Sequence, residues 1–100
     1  MDPAIPNIYI SDVVVSTAGR DQGSLYYVIS TDEMFLMLVN GKDRTLDKPK
    51  RKKRRHVQKV LRSETRVAAK MISGDKVLNS ELRRDLAFHA KEMQANTLGG

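Results

Sequence analysis

The chain has 100 residues, 40% of them hydrophobic, which is room for one domain and one modest core, and it carries a formal net charge of +6. The absence of cysteine excludes disulfides and thiolate-ligated metals, and His56 and His89, the two histidines, are too few and too far apart to suggest a metal site. No apolar run approaches the ~20 residues of a membrane span and no basic-then-apolar leader opens the chain, so a cytoplasmic location is expected.

Residues 1–7 hold two prolines and no usable periodicity, and read as a flexible lead-in. From Ile8 the chain turns strand-like: Ile8 and Ile10 alternate with Tyr9, and Val13-Val14-Val15 is β-branched throughout. Gly19 and Gly23 bracket a tight loop, in which Gly23 is expected at positive φ and Asp21 is expected to bond its own turn. Residues 25–29 and 34–39 are the next strands. The second is apolar at every position, as suits a strand covered on both faces or wrapped into a small barrel. Asn40-Gly41 predicts a two-residue type I′ hairpin, with residues 43–46 returning as a fourth strand. Pro49 opens a basic run, and residues 57–61 supply one more strand to close a barrel. The period then changes. Ser63 is placed to cap a short helix that Gly74 ends, and Asn79 to cap a second whose apolar stripe is Leu82, Leu86, Ala90 and Met93. The organisation expected is a β domain over 8–62, a helical extension over 63–94 and a flexible tail over 95–100.

The charge is unevenly spread. Residues 42–62 contain eleven Lys or Arg and two acids, a local net of +9, whereas the rest of the chain holds seven Lys or Arg and ten acids. The densest part is Lys48-Pro49-Lys50-Arg51-Lys52-Lys53-Arg54-Arg55. Packed like charges repel until something neutralises them, and a phosphate backbone does so while releasing counterions. A solvated loop without a partner and a nuclear-import address are the blander readings of such a run. Its position after an expected strand, and not in a tail, favours a binding loop held by a folded domain. Arg20, at the tip of the glycine-bracketed loop, presents a further guanidinium.

Asp12-Val13-Val14-Val15-Ser16-Thr17-Ala18-Gly19-Arg20-Asp21-Gln22-Gly23 resembles the KOW motif, a strand–loop–strand element of ribosomal and transcription-factor barrels. Asn40-Gly41-Lys42, the stretch from Arg44 through Leu46-Asp47-Lys48-Pro49-Lys50, and His56-Val57 sharpen the likeness. They resemble the short bacterial KOW-domain RNA-binding proteins, themselves similar to the archaeal and eukaryotic large-subunit ribosomal protein numbered fourteen. The resemblance covers residues 12–86. It implies a mainly β fold, an SH3-like barrel with C-terminal helices, that binds RNA without catalysis and has a place in translation. On it, Gly19, Asp21 and Gly23 are the structural loop, and Arg20, Lys48, Lys50, Arg51, Lys52, Lys53, Arg54 and Arg55 the RNA contacts. Two positions depart from the pattern: Ser11 stands where many relatives have Gly, and Gln22 where Lys is usual, which removes one phosphate contact.

The remaining residues favour structural roles. Tyr26 and Tyr27 point to opposite faces of one strand, so one at most can stack on a base and core packing is expected of the other. His56 reads as a strand-edge residue before a phosphate ligand, and Asp32-Glu33, Asp43 and Asp47 as charge-balancing turn residues. No P-loop, nucleophile elbow or paired-carboxylate pattern is present, so neither an enzyme nor a cofactor or small-molecule substrate is expected. The expected partner is RNA, ribosomal RNA first, with ribosomal proteins as neighbours. The alternative is a protein-interaction module docking on a translation or transcription factor by its C-terminal helix. An acidic membrane surface ranks below both, because the run lacks interleaved apolar residues.

Overall fold

The computed structural model describes residues 7–99, with side chains through Ala95. Five strands come first: β1 (Asp12–Ser16), β2 (Leu25–Thr31), β3 (Phe35–Val39), β4 (Lys50–Lys53) and β5 (Val57–Arg62). Two helices follow, α1 (Arg66–Ser73) and α2 (Asn79–Gly99). The strands form one antiparallel sheet in the order β4-β3-β2-β1-β5, with bulges where β1 meets β5 and where β2 meets β3. A three-residue 3-10 turn, Arg54–His56, joins the two edge strands.

Continuous apolar runs in β1, β2 and β3 have a simple cause: both faces of the sheet are covered. Ile8, Val14, Tyr26, Val28, Leu36, Leu38 and Val57 pack together on one face. Val13, Tyr27 and Val39 point the other way and meet Val67 of α1 with Leu82 and Leu86 of α2. Both tyrosines are fully buried, one in each core, so neither is available to stack on a base, and the expectation that left this role open to one of them is corrected.

The glycine-bracketed loop is as expected, with Gly23 at φ 92° and Gly19 at φ 88°. Three local expectations are revised. Residues 8–11 form a turn instead of extending the first strand, and Ser11 holds the left-handed φ of 75° that a glycine would take there without strain. Asn40-Gly41 is not a two-residue hairpin. A type I′ turn needs positive φ at both positions, and only Gly41 has it. The Asn40 carboxamide oxygen instead accepts the N–H groups of Lys42 and Arg44, opening a ten-residue connection in which residues 43–46 are turn and not strand. Gly41 is obligatory for packing as well: a Cβ there would lie 2.2 Å from the backbone oxygen of Asn79.

The helix caps shift for a related reason. Thr65, not Ser63, caps α1 by accepting the Ala68 N–H, because the Ser63 hydroxyl is shared with Tyr27. Gly74 ends α1 in the left-handed conformation, as expected. At the start of α2 the Glu81 carboxylate accepts the Leu78 N–H, while the Asn79 side chain accepts the Leu46 N–H across the fold. The buried stripe of α2 runs through Leu82, Leu86 and His89, with Ala90 exposed. The expected lead-in lies, apart from Asn7, outside the described residues, and the backbone of the expected tail is helical through Gly99.

Candidate nucleic-acid interface

The central correction to the sequence reading is that the basic run is an edge strand and not a loop. Residues 50–53 pair with β3 in register, Lys52 opposite Leu36 and Lys53 opposite Phe35. A strand sends alternate side chains to opposite faces, so four consecutive cations are sorted into two pairs.

Lys50 and Lys52 turn toward the β1–β2 loop. The Lys52 side chain is only 8% exposed, and its ammonium donates to Asp21 Oδ1 at 2.7 Å and to the Ala18 carbonyl at 2.8 Å. Lys50 Nζ lies 3.0 Å from Asp21 Oδ2. The same carboxylate accepts the Ser16 hydroxyl at 2.9 Å and the Tyr26 phenol at 2.8 Å. Partial burial pushes the Asp21 pKa upward, but hydrogen bonds from Lys52, Tyr26, Lys50 and Ser16 outweigh that and hold it well below the ordinary carboxylate range. Burial, reinforced by Asp21, raises the Tyr26 phenol. Asp21 thus does more than brace its own turn: it clamps the loop to β4.

Arg51 and Lys53 point outward, both exposed. The Arg51 guanidinium carbon sits 3.6 Å from the Phe35 ring centroid. Beyond the strand, Arg55 is exposed, whereas Arg54 folds back and donates its Nε–H to the Asp32 carbonyl at 2.7 Å. Lys48 and Arg20 are exposed, without hydrogen-bond or ion-pair partners for their side chains among the described residues. Of the eight cations expected to meet RNA, Arg20, Lys48, Arg51, Lys53 and Arg55 present charge to solvent. Lys50, Lys52 and Arg54 are engaged within the protein.

Sequence reasoning missed Phe35 beneath Arg51, although its place on the opposite face of β3 from Leu36 and Leu38 could have been read from alternation. It also missed a buried polar cluster between sheet and helices. The Tyr27 hydroxyl bonds the Asp85 carboxylate, shares a 2.8 Å hydrogen bond with Ser63 and lies 3.0 Å from His89 Nε2. Thr65 donates its hydroxyl to Asp85 at 2.8 Å. Ser, His and Asp are together here, but Ser63 at 3.2 Å and Asp85 at 3.5 Å approach the same imidazole nitrogen. A proton relay needs them on opposite nitrogens, so this cluster ties α2 to β2 and is not a nucleophilic triad. Among the described residues no group of three or more His, Cys, Asp or Glu could hold a metal ion, and no helix is long and apolar enough to cross a membrane. No protein-family model matches this chain, and the search of curated proteins finds no match.

Proposed function

We propose that this protein is a non-catalytic, cytoplasmic RNA-binding protein of the KOW type, an SH3-like barrel with two C-terminal helices, that works on ribosomal RNA or beside the translation machinery. The barrel reading is supported by connectivity. Crossing a flat sheet from its first to its fifth strand takes about 19 Å, from four spacings of ~4.8 Å. The four chain steps from Lys53 to Val57 reach at most about 14 Å even when extended, and they include a compact 3-10 turn. The sheet must therefore curl, and its two bulges increase the twist that lets it do so.

The observation that carries the RNA reading is the sorting of charge on β4. Asp21 pairs with both inward lysines and fixes the strand to the loop, while Arg51 and Lys53, flanked by Lys48, Arg55 and Arg20, stand exposed on an ordered frame, with Asp32 near Arg51 and Asp47 near Lys48 as acidic neighbours at longer range. Such cations hold phosphates and set position without reading sequence. Ribosomal RNA as the partner rests on the KOW resemblance alone. Docking through the apolar face of α2 has less support, since Leu82 and Leu86 are buried in the protein's own core.

Titration with a folded ribosomal RNA fragment in the presence of excess duplex DNA tests the reading; affinity that survives the competitor is expected. Sedimentation with polysomes before and after a salt wash then tests the place of action. Migration at the top of the gradient under both conditions would remove the ribosomal assignment.

A further inference from the structure

We propose that Arg51, stacked on Phe35, is a platform for one unpaired RNA base, so that the nucleic acid recognised is a loop, bulge or single-stranded end and not a continuous duplex. The inference rests on the RNA-binding reading and makes it more specific. Directly across from Arg51 on β3 stands Met37, and across from Phe35 stands Lys53. The Arg51 side chain nevertheless runs diagonally to place its guanidinium 3.6 Å from the Phe35 ring centroid. Diagonal neighbours on a sheet face lie within reach of long side chains. The ring covers one side of the guanidinium, and Arg51 remains exposed overall, which leaves the side chain accessible to a ligand. A planar, weakly hydrated cation of this kind stacks on a nucleobase while its N–H edge stays available to a phosphate.

The platform is held before any ligand arrives. Asp32 Oδ1 accepts the N–H groups of Met34 at 2.9 Å and of Phe35 at 2.7 Å, which fixes the β2–β3 turn. Arg54 ties the same turn to the end of β4, through its own N–H to the Met34 carbonyl at 2.9 Å and its side chain to the Asp32 carbonyl at 2.7 Å. Little ordering remains to be done on binding. Lys53, opposite Phe35, and Arg55, two residues further along, are exposed and supply nearby cations for the backbone that flanks a stacked base. Met34, 61% exposed, offers an apolar edge beside them. Bases inside a helix keep their faces against one another, so only an unpaired base can supply the missing layer.

Two blunt-ended RNA duplexes, identical except that one carries a single bulged adenosine, provide the test, with dissociation constants measured at several salt concentrations. The wild-type protein is expected to prefer the bulged duplex by about tenfold, the scale of one base stacked on a side chain. Arg51→Lys keeps the charge and loses the plane, so it should abolish that preference while leaving the salt slope unchanged. Phe35→Leu, which removes the ring from beneath, should weaken the preference in the same direction. A preference intact in both variants would overturn the platform while phosphate binding stood. A wild-type protein that binds neither duplex in a salt-dependent way would overturn the RNA reading and the platform together.

Discussion

Lys52 Nζ and Asp21 Oδ1, 31 residues apart in the chain, meet at 2.7 Å on the inner side of β4. That contact divides the basic run into a structural half and a half that faces solvent. It also gives the glycine-bracketed loop its purpose: Gly19 and Gly23 take positive φ so that Asp21 can turn back toward the strands it joins. A lysine whose side chain is only 8% exposed has few other ways to compensate its charge.

Asp21→Asn should therefore destabilise the protein at neutral pH by about 3 kcal/mol, because it leaves Lys52 enclosed without a counter-charge. The pKa of Asp21 is depressed on folding, so its contribution is fully present above the unfolded value of 3.8 and is lost as pH falls toward the lower folded value. The stability gap between wild type and Asp21→Asn should narrow steadily as pH falls below about 4. Urea midpoints of both proteins, taken from neutral pH into that window, measure it. A gap of constant size throughout would mean that the clamp does not depend on the carboxylate charge.

Ser11→Gly is expected to stabilise the fold by about 1 kcal/mol, in spite of glycine's greater freedom in the unfolded chain. Ser11 has a φ of 75°, and its hydroxyl is buried without a hydrogen-bond partner among the described residues. Glycine relieves both penalties at once. The check is a thermal or urea midpoint set against Ser11→Ala, which removes the hydroxyl and keeps the strain. Equal midpoints for the two variants would assign the cost to the hydroxyl alone.

Tyr26 and Tyr27 should hold their phenolic protons well past the ordinary value of 10.0, since burial raises both and carboxylates, Asp21 and Asp85, reinforce the shift. A group whose pKa is raised by folding contributes stability below its unfolded pKa and loses it as pH rises through the folded one. Two phenols should then ionise only together with alkaline unfolding. Phenolate absorbance and circular dichroism recorded in one titration measure this. Tyr26→Phe and Tyr27→Phe should each remove one late-ionising group, and a late step surviving both would point elsewhere.

Most of the sheet was legible because apolar and β-branched runs mark β1, β2, β3 and β5, and the bracketing glycines fixed the loop between the first two. β4 was not legible. Nothing apolar alternates along Lys50-Arg51-Lys52-Lys53, and the burial of its inward residues depends on a carboxylate contributed by a distant loop. Hydrophobic periodicity cannot register that kind of compensation. Asn40-Gly41 misled for a similar reason. Its local chemistry favours a tight hairpin, but the backbone of Asn79 and the side chain of Arg83, which donates to the Gly41 carbonyl, pack α2 against the turn. His89, in the place expected of Ala90, is inward because Tyr27 and Ser63 offer it polar company. Among the candidate contacts, the sequence supplied the cations and the fold decided which of them face outward.

That division yields the sharpest expectation. If Arg20, Lys48, Arg51, Lys53 and Arg55 each hold one phosphate, log K should fall with log[salt] at a slope near −3.5, from ~0.7 per contact on single strands. Neutralising Arg51, Lys53 and Arg55 together should bring the slope to about −1.4 and leave the thermal midpoint nearly unchanged, since exposed charges stabilise little. Neutralising Lys50 and Lys52 should do the reverse, because both ammonium groups are bonded to Asp21. The slope then stays, and the midpoint drops by several degrees as Asp21 loses two of its donors. RNA titrations at several salt concentrations, paired with melting curves for the three proteins, decide between strand face and undifferentiated basic patch. A patch would lose slope in both variants in proportion to the charges removed. A strand sorted by Asp21 loses slope in one variant and stability in the other.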